Sequence, residues 1–158
     1  MEKTTVKSIK ARFTEPMQPL REKINLLDYL DAVVESPYSL VNGAHQGVSA
    51  AMVNVVADEL EMPQDELAKL LNISPKTLRK YLSEDKLLDV SASELILKLH
   101  AMHQVGIDVF GNVKDLRRWL AAPAFGFEGK IPLSLLKTSQ GIELVTAELY
   151  RIVYGDFS

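Results

Sequence analysis

Gln64-Asp-Glu-Leu-Ala-Lys-Leu-Leu-Asn-Ile-Ser-Pro-Lys-Thr-Leu-Arg-Lys-Tyr-Leu82 is the stretch on which the reading of this chain turns. Leu67, Ala68 and Leu71 fall on one face of a first helix, and the small Ala68 lets a second helix come close. Asn72 stands where the chain must turn sharply, a place that favours Gly or Asn because either tolerates a left-handed backbone. Ile73 plugs the corner. Ser74 caps the second helix, Pro75 takes its first position, where a missing N–H is harmless, and Leu78 with Leu82 faces back into the core. Burying those positions leaves Lys76, Thr77, Arg79 and Lys80 outward, on a helix without an acidic residue. This is the layout of a helix-turn-helix whose second helix meets base edges in the major groove while its cations engage phosphates. The expected DNA-contacting set is Gln64, Ser74, Lys76, Thr77, Arg79 and Lys80, with operator DNA as the ligand. The competing reading is a helical hairpin used only for packing, its lysines a solvated face.

On both sides of this motif the apolar residues keep helical spacing. Ile24, Leu27, Leu30 and Val34 line one helix face that Pro37 prevents from continuing, and Asn42 to Gly47 reads as a loop by residue type. Val48, Met52, Val55, Val56 and Leu60 make the next face, which Pro63 ends. Ser91 with Glu94 forms a capping-box pair opening a long helix through Leu95, Leu99, Met102 and Val109, stopped at Phe110-Gly111. Asn112 with Asp115 starts another, carrying Leu116, Trp119 and Leu120 to Pro123. Residues 124–131 form a glycine-containing loop, and Pro132 opens a short helix to Leu136. Thr138 or Ser139 then caps a last helix with Ile142, Val145, Leu149 and Ile152 on its stripe. No sustained alternation of apolar and polar residues occurs, so the expected fold is all-α: a helix-turn-helix DNA-binding domain followed by a small helical domain. The expected division is a basic, partly disordered tail over 1–23, a helical N-terminal region over 24–88 with the helix-turn-helix at 64–82, and a C-terminal domain over 89–158.

The chain has 158 residues, 47% apolar and 25% charged, an ordinary globular balance able to bury a core without disulfides or metal. It has no cysteine, which removes disulfide scaffolds, thiolate catalysis and cysteine-based zinc sites and fits a reducing cytoplasm. Residues 1–23 lack an apolar run and read as neither a signal peptide nor a membrane anchor, and no transmembrane stretch follows. The net charge is −3, yet residues 1–23 carry six cations against three carboxylates. A protein of this balance does not coat nucleic acid indiscriminately, so DNA binding has to be local.

Enzyme signatures are missing. There is no nucleophile elbow, phosphate loop or dinucleotide glycine fingerprint, and adjacent acidic residues such as Asp58-Glu59 do not face one another on a helix. His100 and His103 stand three apart, a spacing that can place two ligands on a metal. Only His45 remains as a third histidine, and no carboxylate stands in a ligand motif, so both read as ordinary surface or half-buried histidines. Trp119 reads as a core anchor. The chain is expected to be a non-enzyme that needs no cofactor.

After the helix-turn-helix come Val109-Phe-Gly111, Arg118-Trp-Leu120, Pro123, Ile131-Pro-Leu133, Leu135-Leu136, Thr138, Gly141 and the ending Arg151-Ile-Val-Tyr-Gly155. In this order the motifs resemble the Xre/MbcA/ParS family of antitoxins, from about residue 48 to the end. The resemblance implies a type II toxin–antitoxin pair: a helix-turn-helix repressor of its own operon whose C-terminal domain binds and blocks a RES-domain toxin that consumes NAD. It implies a cytoplasmic protein that forms a homodimer and a hetero-oligomer with its toxin. The toxin-binding set it points to is Arg151, Ile152, Tyr154, Gly155 and Phe157. Two places depart from the family pattern. Lys80 stands where Arg is frequent, keeping the charge without the bidentate fork that reads guanine. Ala122-Pro-Ala-Phe-Gly-Phe-Glu-Gly129 replaces an Asn-Pro and double-glycine turn, which puts two aromatics into a partner surface.

From residue types alone, Tyr154 and Phe157 read as closing the domain's own core, with Gly155 an ordinary helix stop, and it is the resemblance that turns them toward a partner. Two other functions therefore stand beside the antitoxin reading. One is a transcription regulator whose C-terminal domain only dimerises or senses a ligand, and the other an interaction protein with a relict helix-turn-helix.

Overall fold

The structure, a computed structural model, describes residues 19–155. Eight α-helices follow one another among these residues: α1 (Pro19–Val33), α2 (Pro37–Gln46), α3 (Ala51–Glu59), α4 (Gln64–Leu70), α5 (Pro75–Ser83), α6 (Val90–Phe110), α7 (Val113–Leu120) and α8 (Ser139–Tyr154), with 3₁₀ turns at Phe125–Phe127 and Pro132–Leu135. Among the described residues no strand forms, and Ser49 and Leu87 make a single antiparallel bridge. The all-α expectation holds.

The longest helix, α6, organises the rest. At 21 residues it is about 30 Å long, and α1, α2, α3, α7 and α8 all pack on it. Its Ile96, Leu97, Leu99 and Met102 are fully buried, because an apolar residue appears on every side of its middle turns instead of on one stripe. The division expected at residues 88 and 89 falls just before α6, whose length serves both the helix-turn-helix side and the C-terminal side.

Helix boundaries follow local chemistry. Asn112 accepts from the Asp115 N–H and Thr138 from the Gly141 N–H, and Gly111 ends α6 in the left-handed conformation at φ 78°. At Gly141 the Leu135 carbonyl oxygen fills the space a Cβ would take, so the short 3₁₀ turn before α8 can press against its first turn only because glycine stands there.

Several expectations are corrected. The first helix begins at Pro19 and not at Ile24, so residues 19–23 are helical; residues 1–18 of the expected tail lie outside the described residues. Asn42 to Gln46 is helix and not loop. Ser36 caps α2 by accepting from the Ser39 N–H, and the buried Gly43 and Ala44 allow close packing, with Val33 and Leu97 against Gly43. The residue types that suggest a loop are here the small residues of a tight helix contact. The start of α6 is capped by Asp89, whose carboxylate accepts from the Ala92 N–H at 2.7 Å. Ser91 and Glu94 do not form the expected box, because Glu94 is engaged by Lys98 and Ser139. Trp119 is half-buried, packed on the core and on Phe110 at 6.0 Å between ring centroids.

Candidate functional site

The residues that the sequence singles out fall on two exposed faces and in one buried polar cluster. The first face is α5. Leu67, Ala68 and Leu78 are fully buried and Leu71 nearly so, and Asn72 takes the left-handed conformation at φ 58°. Ser74 Oγ accepts from the Thr77 N–H at 3.0 Å and donates to Thr77 Oγ1 at 2.7 Å, so the two hydroxyls satisfy each other and the helix start. Lys76, Thr77, Arg79 and Lys80 are all exposed. Arg79 faces Asp65 at 3.8 Å with both side chains mostly in solvent, a separation at which water screens most of the attraction. Lys76 and Lys80 make no ion pair among those found in the described residues, and α5 carries no carboxylate. Gln64 is half-buried and donates to Asn54 Oδ1. The exposed Asn54 thereby joins this face, which the sequence reading missed; its one signal is a polar residue interrupting the apolar run Met52 to Val56.

The second face is the end of α8. The helix is seated by a polar network at its start: Lys98 Nζ bonds Ser139 Oγ at 2.6 Å, Glu94 at 3.0 Å and Glu143, while Ser139 donates to Glu94 at 2.9 Å. Burial acts to lower the Lys98 pKa, but the Glu143 and Glu94 carboxylates outweigh it and raise it. Lys98 chiefly holds the Glu94 carboxyl below its ordinary range. Farther along, Ile142, Val145 and Leu149 are buried. Ile152 is 45% exposed, although its spacing extends that stripe; by the last turn the helix has left the surface that covers Leu149. Arg151 is exposed and pairs with Glu148 at 3.3 Å. Tyr154 is 69% exposed, so it does not close the domain's core. It stacks on Tyr150, with centroids 6.1 Å apart and rings 16° from parallel. Tyr150 and Glu148 were both missed, although Tyr150 and Tyr154 stand at the four-residue spacing that makes helix neighbours. Gly155, at φ 69°, ends the helix and donates its N–H to the Arg151 carbonyl at 2.8 Å. Phe157 lies outside the described residues.

The buried cluster lies on α6, facing α1 and α3. His100 is 1% exposed, contrary to the surface or half-buried position expected for it. Its Nδ1 is 2.8 Å from Glu59 and its Nε2 2.9 Å from Asp31, to which Gln104 also donates at 2.6 Å. Desolvation acts to lower the His100 pKa, yet the hydrogen bonds and charges of Glu59 and Asp31 outweigh it and raise it above the ordinary value. His103, 4.0 Å from Glu59, is pushed down by burial with the neighbouring His100 charge adding to it, only partly offset by Glu59. This is a clamp of α1 and α3 onto α6. Among the described residues no three His, Asp or Glu side chains are grouped so as to hold a metal, and no helix is long and apolar enough to cross a membrane.

Residues 39–99 match the antitoxin Xre-like helix-turn-helix domain, and residues 106–155 match the antitoxin Xre/MbcA/ParS C-terminal toxin-binding domain. The first match contains α5 and the second contains α8. A protein named Antitoxin Xre from Pseudomonas putida is 30% identical over 80 residues, 51% of this chain and 50% of that protein. The chain thus spans about half the length of this curated relative. Antitoxins and helix-turn-helix proteins of these families are regulators without enzymatic activity. The two matches stand in the order of the two exposed faces, so the chain is similar to antitoxins of the Xre/MbcA/ParS type in both its helix-turn-helix and its toxin-binding part.

Proposed function

We propose that this protein is the antitoxin of a type II toxin–antitoxin pair, that it blocks a RES-domain toxin consuming NAD with the last turn of α8, and that it represses its own operon through α5. The observation that carries the reading is the contrast within α8. Ile142, Val145 and Leu149 anchor the helix, while Arg151, Ile152 and Tyr154 project from its final turn. A partner can therefore cover the projecting end without loosening the domain.

In a cleft built for an anionic dinucleotide, the guanidinium of Arg151 pairs with a carboxylate, and the ring of Tyr154 with Ile152 fills apolar space and displaces water. Gly155 ends the helix at φ 69° and lets the chain turn away from the helix axis there. On DNA, Lys76, Arg79 and Lys80 contact phosphates. Gln64, Ser74 and Thr77 border the groove at the start of the recognition helix, and a homodimer places two such helices on half-sites about one helical turn apart. Both activities belong in the cytoplasm, where NAD and the operator are found.

The test is co-expression with the RES-domain protein of the adjacent reading frame. Cells making that protein alone should lose NAD and stop growing, and this protein should restore both. Growth arrest that persists despite a stable complex, or absence of any complex, would sink the assignment.

A further inference from the structure

Phe125 is fully exposed, the most exposed of the large apolar side chains among the described residues. A single exposed apolar residue is ordinary, but the backbone beneath this one is unusually fixed. The Ala124 carbonyl accepts from both the Phe127 and Gly129 N–H groups at 3.1 Å, the Ala124 N–H reaches the Lys130 carbonyl at 3.1 Å, and Glu128 and Lys130 donate to Phe125 and Phe127 at 3.2 and 3.0 Å. Ala124 is buried and Phe127 packs on the core, so the turn is nailed down at both sides of the projecting ring. The turn also lies against α8. At Gly126 the space of a Cβ is filled by the carboxylate of Glu148, the group that pairs with Arg151 at 3.3 Å. A ring held outward by a rigid, hydrogen-bonded turn can be buried by a partner without the entropy loss of ordering a loop.

We propose that Phe125 is an anchor of the toxin interface, displayed beside the Glu148–Arg151 pair and seated in an apolar pocket next to the group on the toxin that takes Arg151. The inference rests on the antitoxin reading above and extends its contact surface from the last turn of α8 to a second element. The occupant is the toxin because the turn lies within the stretch matching the toxin-binding domain and abuts the helix end assigned to that contact. Glu148 then has two roles: it props the turn through Gly126, and it neutralises Arg151 until a partner carboxylate replaces it.

The full-length protein, its Phe125→Ala and Gly126→Ala variants and a variant lacking Val153–Ser158 are titrated with the RES-domain protein of the adjacent reading frame. Phe125→Ala should weaken the complex about 10–100-fold, with unchanged melting temperature and operator affinity, because the ring supports nothing in its own fold. Gly126→Ala should weaken it less, about threefold to tenfold, since the added methyl displaces only the flexible end of Glu148. Wild-type affinity in Phe125→Ala, with binding abolished by the truncation, would overturn this inference and leave the antitoxin reading standing. Failure of the unaltered protein to bind would overturn both. A Phe125→Ala variant that binds the toxin normally but no longer self-associates would give the ring to a second copy of this chain and likewise overturn the proposal.

Discussion

The outward face of α5 and the last turn of α8 are built from the same local devices and end in opposite chemistry. Both helices are capped by a hydroxyl that accepts a backbone N–H three residues on, each at 3.0 Å, and both are held from their inward side, α5 by the buried Leu78 with Leu82 partly buried beside it and α8 by Ile142, Val145 and Leu149. On α5 the exposed residues are cations with no carboxylate in their own helix. On α8 the one cation of the last turn is already neutralised by Glu148, and the rest of the exposed end is aromatic and aliphatic. A cationic face whose one ion pair, Arg79 with Asp65, is loose and solvated suits a polyanion, where affinity comes from displaced counterions and tolerates water. A neutralised cation among apolar side chains suits a dry cleft, where affinity comes from desolvated anchors. Because α6 supports both the helix-turn-helix side and α8, a change at one face should leave the geometry of the other intact.

The sharpest break of that comparison is a pair of reciprocal losses. Removing Val153–Ser158 deletes Tyr154 and Gly155 but spares Ile142, Val145 and Leu149. Toxin neutralisation should be abolished, and operator binding in gel shifts should stay within about twofold. Loss of both functions together, with an unchanged melt, would show that the two faces are coupled.

The next effect is on stability. Trp119→Ala should lower it by roughly 2–3 kcal/mol, below the cost of emptying a fully buried aromatic site, because the ring is only half-buried against Phe110. Chemical denaturation checks this. An unchanged denaturation midpoint with impaired toxin binding would move Trp119 from scaffold to the toxin-binding face.

Smaller again is the effect of single cations on DNA. Lys76→Ala should weaken operator binding by about 1 kcal/mol and lower the salt slope by about one counterion. Arg79→Ala should do less, since Asp65 already offsets part of that charge. Toxin neutralisation should survive both. Equal salt slopes in the two variants and the parent would remove α5 from the phosphate contacts.

The smallest effect lies away from both faces, at the clamp of His100 with Glu59 and Asp31. A histidine whose folded pKa is raised contributes stability that is complete below its unfolded value, about 6.5, and is lost as pH rises through the folded value. His103, with a lowered pKa, opposes this: its contribution is present above about 6.5 and fades as pH falls through its folded value. Thermal melts across pH, compared between the parent and His100→Gln, separate the two. The difference should be largest in acid and shrink toward alkaline pH, and a difference that grew with pH would contradict the clamp.

What the sequence determined by itself is the set of features that one helical turn can decide. Asn72 at the corner, Ser74 and Pro75 at the start of α5, Gly111, Asn112 and Thr138 at the later boundaries, and the stripe from Ile142 to Leu149 all stand as read, because each depends on residues within three or four positions. The cationic face of α5 follows from the same logic: once Leu78 and Leu82 point inward, the remaining positions have no other side to occupy. What only the tertiary structure decided depends on neighbours far along the chain. His100 finds Glu59 and Asp31 at separations of 41 and 69 residues, and Glu94 abandons its local cap for Lys98 and Ser139. The small residues of α2 become a packing surface only when Val33 and Leu97 meet them. Ile152 keeps the spacing of the stripe but not its burial, since periodicity fixes the direction in which a side chain points and says nothing of where the opposing surface ends. For the same reason Gly126 gives no sign in the sequence that Glu148 lies against it, the contact that sets the aromatic turn beside the end of α8.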